Sequence, residues 1–223
     1  MPSDFIKQPT QLNNNDGIYL NSGGGDSVVG GRLSSVPTDV IASQGIQTIP
    51  GDRLLLGEAD AQALDDPDVG TLYGGMYQYI RTKTTSTAAF ARAHGVFWDT
   101  GVAATQYQVT ADENGLQGVG LFAGVTINTI TKGYSWWIQT AGRISVQFRA
   151  VLTGLGVDGS PVFLAAAGAG ADVGEFDVLE GGANPSFTQM VNAVRDYVGV
   201  AQGAPVNDTI STINIPLGRI FRW

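Results

Sequence analysis

Reactive chemistry in this chain has few places to start: there is one histidine, His94, in AFARAHGVFW, and no cysteine. One imidazole without a thiolate cannot complete a tetrahedral zinc site from the preferred nitrogen and sulfur ligands, and no set of carboxylates is spaced to converge on it. A Ser–His–Asp arrangement of the hydrolase type needs its serine on a sharp strand-to-helix turn, and no Gly-x-Ser-x-Gly phrase surrounds any serine. His94 therefore reads as a structural residue. The carboxylates offer two further possibilities. Asp65, Asp66 and Asp68 cluster around Pro67 but lack the ligand spacing, the supporting glycine and the distal glutamate of a calcium loop, which leaves a solvated turn. Glu175, Asp177 and Glu180 share one loop-like stretch; a carboxylate pair for glycoside hydrolysis is defined by its separation in space, and stretches of this kind are more often solvated than catalytic. GVGLFAG (118–124) has the glycines of a phosphate loop without G-x-G-x-x-G spacing or a following Lys-Ser/Thr, and it leads into strand-like sequence. Its glycines suit bulges and close strand packing instead. No catalytic, cofactor-binding or metal-ligating residue is assigned, and the chain reads as a non-enzyme.

The residues that stand out for binding are aromatic. In TKGYSWWIQTAGRISVQF (131–148), Trp136 and Trp137 sit side by side in an uncharged, strand-like run bracketed by Gly133 and Gly142. Neighbours on a strand point to opposite faces, so one indole can fill a core while the other faces outward. An outward tryptophan beside Tyr134 suits an aromatic anchor in a subunit contact. A core filled from both sides and a stacking platform for a sugar ring are the two alternatives.

The elements that must position them read as β. With 223 residues the chain holds one substantial β-rich domain with extensions, or two small ones. GGMYQYIRTKTT (74–85) alternates in part, YQVTADENG (107–115) ends in an Asn-Gly turn signal, and further strand-like runs follow at 115–128, 131–148, 148–154, 154–168, 175–181 and 209–223. Gly-bearing turns at this spacing indicate a sandwich or small barrel. SFTQMVNAVRDYV (186–198) carries apolar residues at helical spacing but has the Val and Tyr content of a strand, and a strand is the preferred reading. GVGLFAGV (118–125) and GVAQGAPV (199–206) echo one another, each followed by Gly-Arg-Ile, which hints at a two-part β domain.

Residues 1–50 differ in tone. NNNDG, SGGGD and Gly30-Gly31 punctuate a stretch whose apolar residues, among them Phe5, Ile18 and Leu20, are too sparse for a core. Two readings are open, an extended arm with those three side chains as anchors on a partner and a floppy tail; fully extended at about 3.3 Å per residue, the stretch reaches on the order of 100 Å. The boundaries are thus an arm at 1–50 and a β-rich domain at 51–223.

Composition narrows the partner. A net charge of −8 with only 12 Lys and Arg opposes phosphate-backbone binding, so no nucleic-acid partner is expected. Charged residues make up 14%, against roughly 25% in an ordinary soluble domain, and there are 31 glycines. A surface that neutral, on a chain 43% hydrophobic, points to wide contact with other proteins. The amino terminus lacks a basic region followed by an apolar core, and no apolar run approaches the roughly 18 residues of a membrane span. The expectation is action in the cytoplasm, or on something assembled there, with no membrane partner.

The phrase Gly-Val-x-x-x-(Ala/Gly)-x-Val, then Lys-Gly-Tyr-x-Trp-Trp-Ile-Gln-Thr-x-Gly (132–142), then GLGVDGSPVFL (154–164), resembles the head decoration (cement, or auxiliary capsid) proteins of tailed bacteriophages. GGMYQYIRT (74–82) is similar to the strand that opens their domain. The resemblance covers roughly 51–223, departs at an insert over 168–190, and leaves the arm unmatched. It implies an all-β fold, a small β-barrel or β-tulip-like sandwich domain with a long N-terminal arm. It further implies a homotrimer on the outer surface of the virion capsid, clamping subunits of the major capsid protein, with no cofactor. A carbohydrate-binding or tail-associated adhesin module is the alternative.

Overall fold

A computed structural model of the chain describes residues 36–37, 50–51, 53–63, 72–99, 101–102, 107–112, 122–152, 156–165, 173–178 and 197–216. Among these the fold is almost wholly β. The strands are β1 (Val36–Pro37), β2 (Arg53–Leu56), β3 (Gly75–Thr82), β4 (Gly95–Trp98), β5 (Gln108–Thr110), β6 (Phe122–Thr126), β7 (Tyr134–Gln147), β8 (Pro161–Leu164), β9 (Phe176–Val178), β10 (Tyr197–Gln202) and β11 (Ile210–Ile215), with one short helix, α1 (Glu58–Ala63).

Strands β3, β5, β4, β6 and β7 hydrogen-bond in that order, and β3 pairs again with β7, so the ring closes into a five-stranded barrel. The β3–β5 pair is parallel and the others antiparallel. Parallel neighbours need a crossover, and β4, which lies between them in sequence, provides it. From the far half of β7 an outer sheet continues through β11, β10, β8 and β9. Of the sandwich or small barrel that the sequence indicates, the chain forms an all-β fold with a five-stranded barrel and strands outside it.

One strand serves both parts. The first half of β7 pairs with β3 and β6, whereas Gly142 to Gln147 pairs with β11. The transition is a bulge: Met76 opposes Ala141 and Tyr77 opposes Gln139, so Thr140 is the extra residue. Its hydroxyl donates to the Met76 carbonyl at 3.0 Å, and Gln139 Nε2 donates to the Arg143 carbonyl at 2.7 Å. Gly142 follows with φ +95°, and a Cβ there would lie 2.5 Å from the Gly74 carbonyl oxygen. Both the backbone angle and the space demand glycine.

Two cores result. The barrel cluster contains Tyr77, Tyr79, Ile80, Val96, Trp98, Trp136, Trp137 and Ile138. The second contains Phe97, Phe122 and Val125 from the barrel strands with Ile144, Val162, Leu164, Phe176, Val198 and Ile213 from the outer sheet. Each fully buried aliphatic or Phe side chain is worth about 1.5–3 kcal/mol of removal from water.

Several elements differ from the sequence reading. FRAVLTG (148–154) is not a strand where it is described. Phe148 forms only an isolated bridge with Phe176, and Arg149 leaves the β7 line to make a 3.3 Å ion pair with buried Asp177. The helix α1 was not foreseen; it carries buried Ala61, and Glu58 accepts a 2.7 Å bond from the Gly74 amide. The segment 186–198 lies outside the described residues up to 196, with Tyr197 opening β10. Of the arm, Val36–Pro37 pairs with Ser135 and Tyr134. Ser135 also opposes Arg81 of β3, so β1 lies along the other edge of β7, the edge that β6 uses further on. The remaining arm residues up to 49, with Phe5, Ile18 and Leu20, fall outside the described residues, as do Asp65, Asp66, Asp68 and Glu180.

Candidate functional site

The tryptophan pair is held by cross-strand neighbours. Ile80 opposes Trp136 and Tyr79 opposes Trp137, so the indoles project from opposite faces of β7, as alternation requires. Both faces are covered. Trp136 is fully buried and Trp137 is 4% exposed, its ring tilted against Tyr79 with centroids 5.2 Å apart. Neither indole offers area to a partner, so the expected outward anchor is corrected to the two-sided core, and a sugar platform on these rings is ruled out with it. Tyr134 is half-buried and packs on the barrel cluster. The burial is not free of polar cost. The indole N–H groups of both tryptophans and the side-chain amide of Gln78 have no hydrogen-bond partner among the described residues. Such groups cost roughly 1–3 kcal/mol each.

His94 sits where the barrel meets the outer sheet. Ala93, at φ 63°, turns the chain into β4, and the Gly95 amide donates to the Gly174 carbonyl at 2.7 Å. His94 Nδ1 donates to the Arg92 carbonyl at 2.7 Å, which leaves Nε2 facing Glu175 Oε1 at 3.8 Å. That separation is too long for a hydrogen bond. Burial pushes the imidazole below its ordinary pKa, against the smaller upward pull of the Arg92 carbonyl. A neutral, wedged imidazole is a structural element, as the sequence reading held.

Two of the described carboxylates are likewise occupied in holding structure. Asp177 pairs with Arg149. Asp112 accepts from the amides of Thr87 at 2.8 Å and Ala88 at 2.6 Å. Burial opposes its charge, but those amides and the hydroxyls of Ser86 and Thr110 outweigh it and hold the carboxyl below its ordinary pKa. At Tyr77, burial first and the Glu58 charge second push the phenol up, and its hydroxyl donates to the Tyr73 carbonyl at 2.6 Å.

What sequence reasoning missed is a set of exposed apolar side chains: Leu55 on β2, Ile210 at the start of β11, and Val151, Val157 and Val206 in the connections of the outer sheet. Val157 and Val206 stand beside turn-forming residues, in GVDG and PVND, and a valine inside a turn phrase was the signal available; Val151, between Ala150 and Leu152, offered none. Among the described residues no group of three or more His, Cys, Asp or Glu is placed to hold a metal ion.

No protein-family model and no curated protein matches the chain. Among solved structures the chain is similar to the N base of the head fiber protein gp8.5 of bacteriophage phi29, with 12% sequence identity and a TM-score of 0.38, over 63% of this chain and 92% of that one. At that distance the similarity carries neither partner nor activity across.

Proposed function

We propose that this chain is a structural, non-enzymatic virion protein that binds the outer surface of a tailed-phage head as a trimer and stabilises contacts between major capsid subunits. The observation that carries the reading is the role of the phrase at 132–142. In it Trp136 and Ile138 fill the barrel, and Gly142 is the joint to the outer sheet. The resemblance to decoration proteins therefore lies in residues that build the domain, which is where a resemblance of architecture belongs. The charge-poor composition and net charge of −8 support contact with protein and not with packaged DNA. In this reading the arm lies extended on neighbouring capsid subunits, and three weak contacts per trimer combine into tight attachment.

The test is sedimentation of the purified protein with undecorated, expanded heads of the phage that carries this sequence. Pelleting with heads at micromolar concentration, in a stoichiometry divisible by three, is the expected result. Failure to pellet, with a folded protein in the supernatant, overturns the reading.

A further inference from the structure

At one end of the outer sheet lie the connection from β7 to β8, described at 148–152 and 156–160, and the β10–β11 turn at 203–209, and each of these three stretches holds an apolar side chain in solvent. Val151 is 69% exposed, and Val157 and Val206 are 57% exposed. Lone exposed valines are ordinary, but these three stand on stretches of chain that adjoin one another. That the loops adjoin follows from their bonds. The Leu152 amide donates to Asn207 Oδ1 at 3.2 Å, the Asp208 amide donates to the Arg149 carbonyl at 3.0 Å, and the Gly203 amide donates to Asp158 Oδ1 at 2.9 Å. A Cβ added to Gly156 would come within 2.6 Å of Pro205 Cδ. The display is also fixed in advance: Val157 N donates to Ser160 Oγ at 2.9 Å, and Thr209 Oγ1 donates to the Val206 carbonyl at 2.7 Å. Loops ordered before binding lose less entropy when they bind.

The charges around the patch select its occupant. The ionisable residues on these described loops are Arg149, Asp158 and Asp208, and Arg149 is engaged with Asp177. The net character is apolar and acidic. Bringing these ends of three copies together on one axis would gather six carboxylates, two from each copy (3 × 2), and like charges repel. The same end of a second copy is therefore the wrong partner, and an apolar recess bordered by Lys or Arg is the right one. Resting on the head-binding reading above, we propose that the loop end bearing Val151, Val157 and Val206 is the surface by which this protein docks on the shell, seated in a basic-rimmed apolar recess of the capsid.

The experiment compares full-length proteins in the head-sedimentation assay, with thermal melting to verify folding. Val157→Thr/Val206→Thr keeps side-chain shape and is expected to weaken head binding about tenfold or more by removing apolar contact. Leu55→Thr, an equally exposed site on the barrel side, is expected to leave binding unchanged. Hydroxyl-radical labelling of the unmutated protein gives a second readout that needs no variant, with Val157 and Val206 shielded on heads and labelled when free. If the double variant binds as the parent does, or the valines stay labelled on heads, the docking surface is elsewhere while head binding stands. If Leu55→Thr weakens binding as much, the loop end has no special role. If the parent protein does not bind heads, the head-binding reading falls and takes this surface with it.

Discussion

The barrel and the outer sheet share β7 yet are held together by different means. The barrel closes on itself through β3–β7, so its ring has no open edge, and its core is aromatic: Tyr77, Tyr79, Trp98, Trp136 and Trp137. The outer sheet terminates at β9 among the described residues, and its core is one-sided, with Val162, Leu164 and Phe176 packed on Phe97 and Phe122 of the barrel wall. Phe122 and Phe176 meet edge to face, centroids 6.4 Å apart, across that seam. The lesson is a hierarchy: the barrel carries its own closure, and the outer sheet borrows from it both a strand and a wall.

The largest effect should come from the barrel core. Trp136→Ala is expected to cost about 3–5 kcal/mol in urea unfolding. Trp136→Phe should cost much less, because it keeps most of the buried ring and discards an indole N–H with no partner among the described residues. Equal losses for the two would mean that the N–H is satisfied and the core is more polar than its geometry indicates.

A middle effect is expected at the joint. Gly142→Ala meets both a φ of +95° and the Gly74 carbonyl, and about 1–3 kcal/mol of strain follows. Because the fault lies between the two parts, at the Gly75 end of β3, hydrogen exchange should quicken there and in β10 and β11, while the rest of β3 and β6 keep their protection. Uniform loss across the chain would break the proposed hierarchy.

The smallest effect belongs to the seam. Burial holds the His94 pKa below 6.5, so as pH falls the unfolded chain takes up a proton before the folded one. Stability from this group is whole above pH 6.5 and drains away below it. The melting temperature should drop on acidification from about pH 7 to pH 5, and His94→Gln should flatten that slope. A wild-type slope of opposite sign would show that the Glu175 carboxylate, 3.8 Å away, governs the imidazole after all.

Some of this was visible in one dimension. The alternation in GGMYQYIRT and the uncharged run after Gly133 located β3 and β7, and Gly-bearing turns indicated the β class. Barrel closure was not visible, since it depends on Tyr79 meeting Trp137 and Ile80 meeting Trp136, a pairing between segments far apart in the chain. Strand alternation separated the two indoles correctly, but whether a face is covered depends on what packs there. GVFW was passed over as the surroundings of His94, although it is β4, buried along its whole length. FRAVLTG has strand composition, and only the Arg149–Asp177 pair, made with a residue on β9, shows why it bends away. The exposed valines were hidden for the same reason in reverse, being apolar residues that a pattern reader assigns to the inside.

The antiparallel ladders along β7 have a mechanical consequence. Tension applied between Tyr134 and Gln147 runs along the strand, so the bonds to β3 and β11 must shear in concert and cannot peel one after another. Rupture under such loading is set by the height of the unfolding barrier and not by equilibrium stability. Strain entering the outer sheet would therefore reach the barrel through the joint at Gly142.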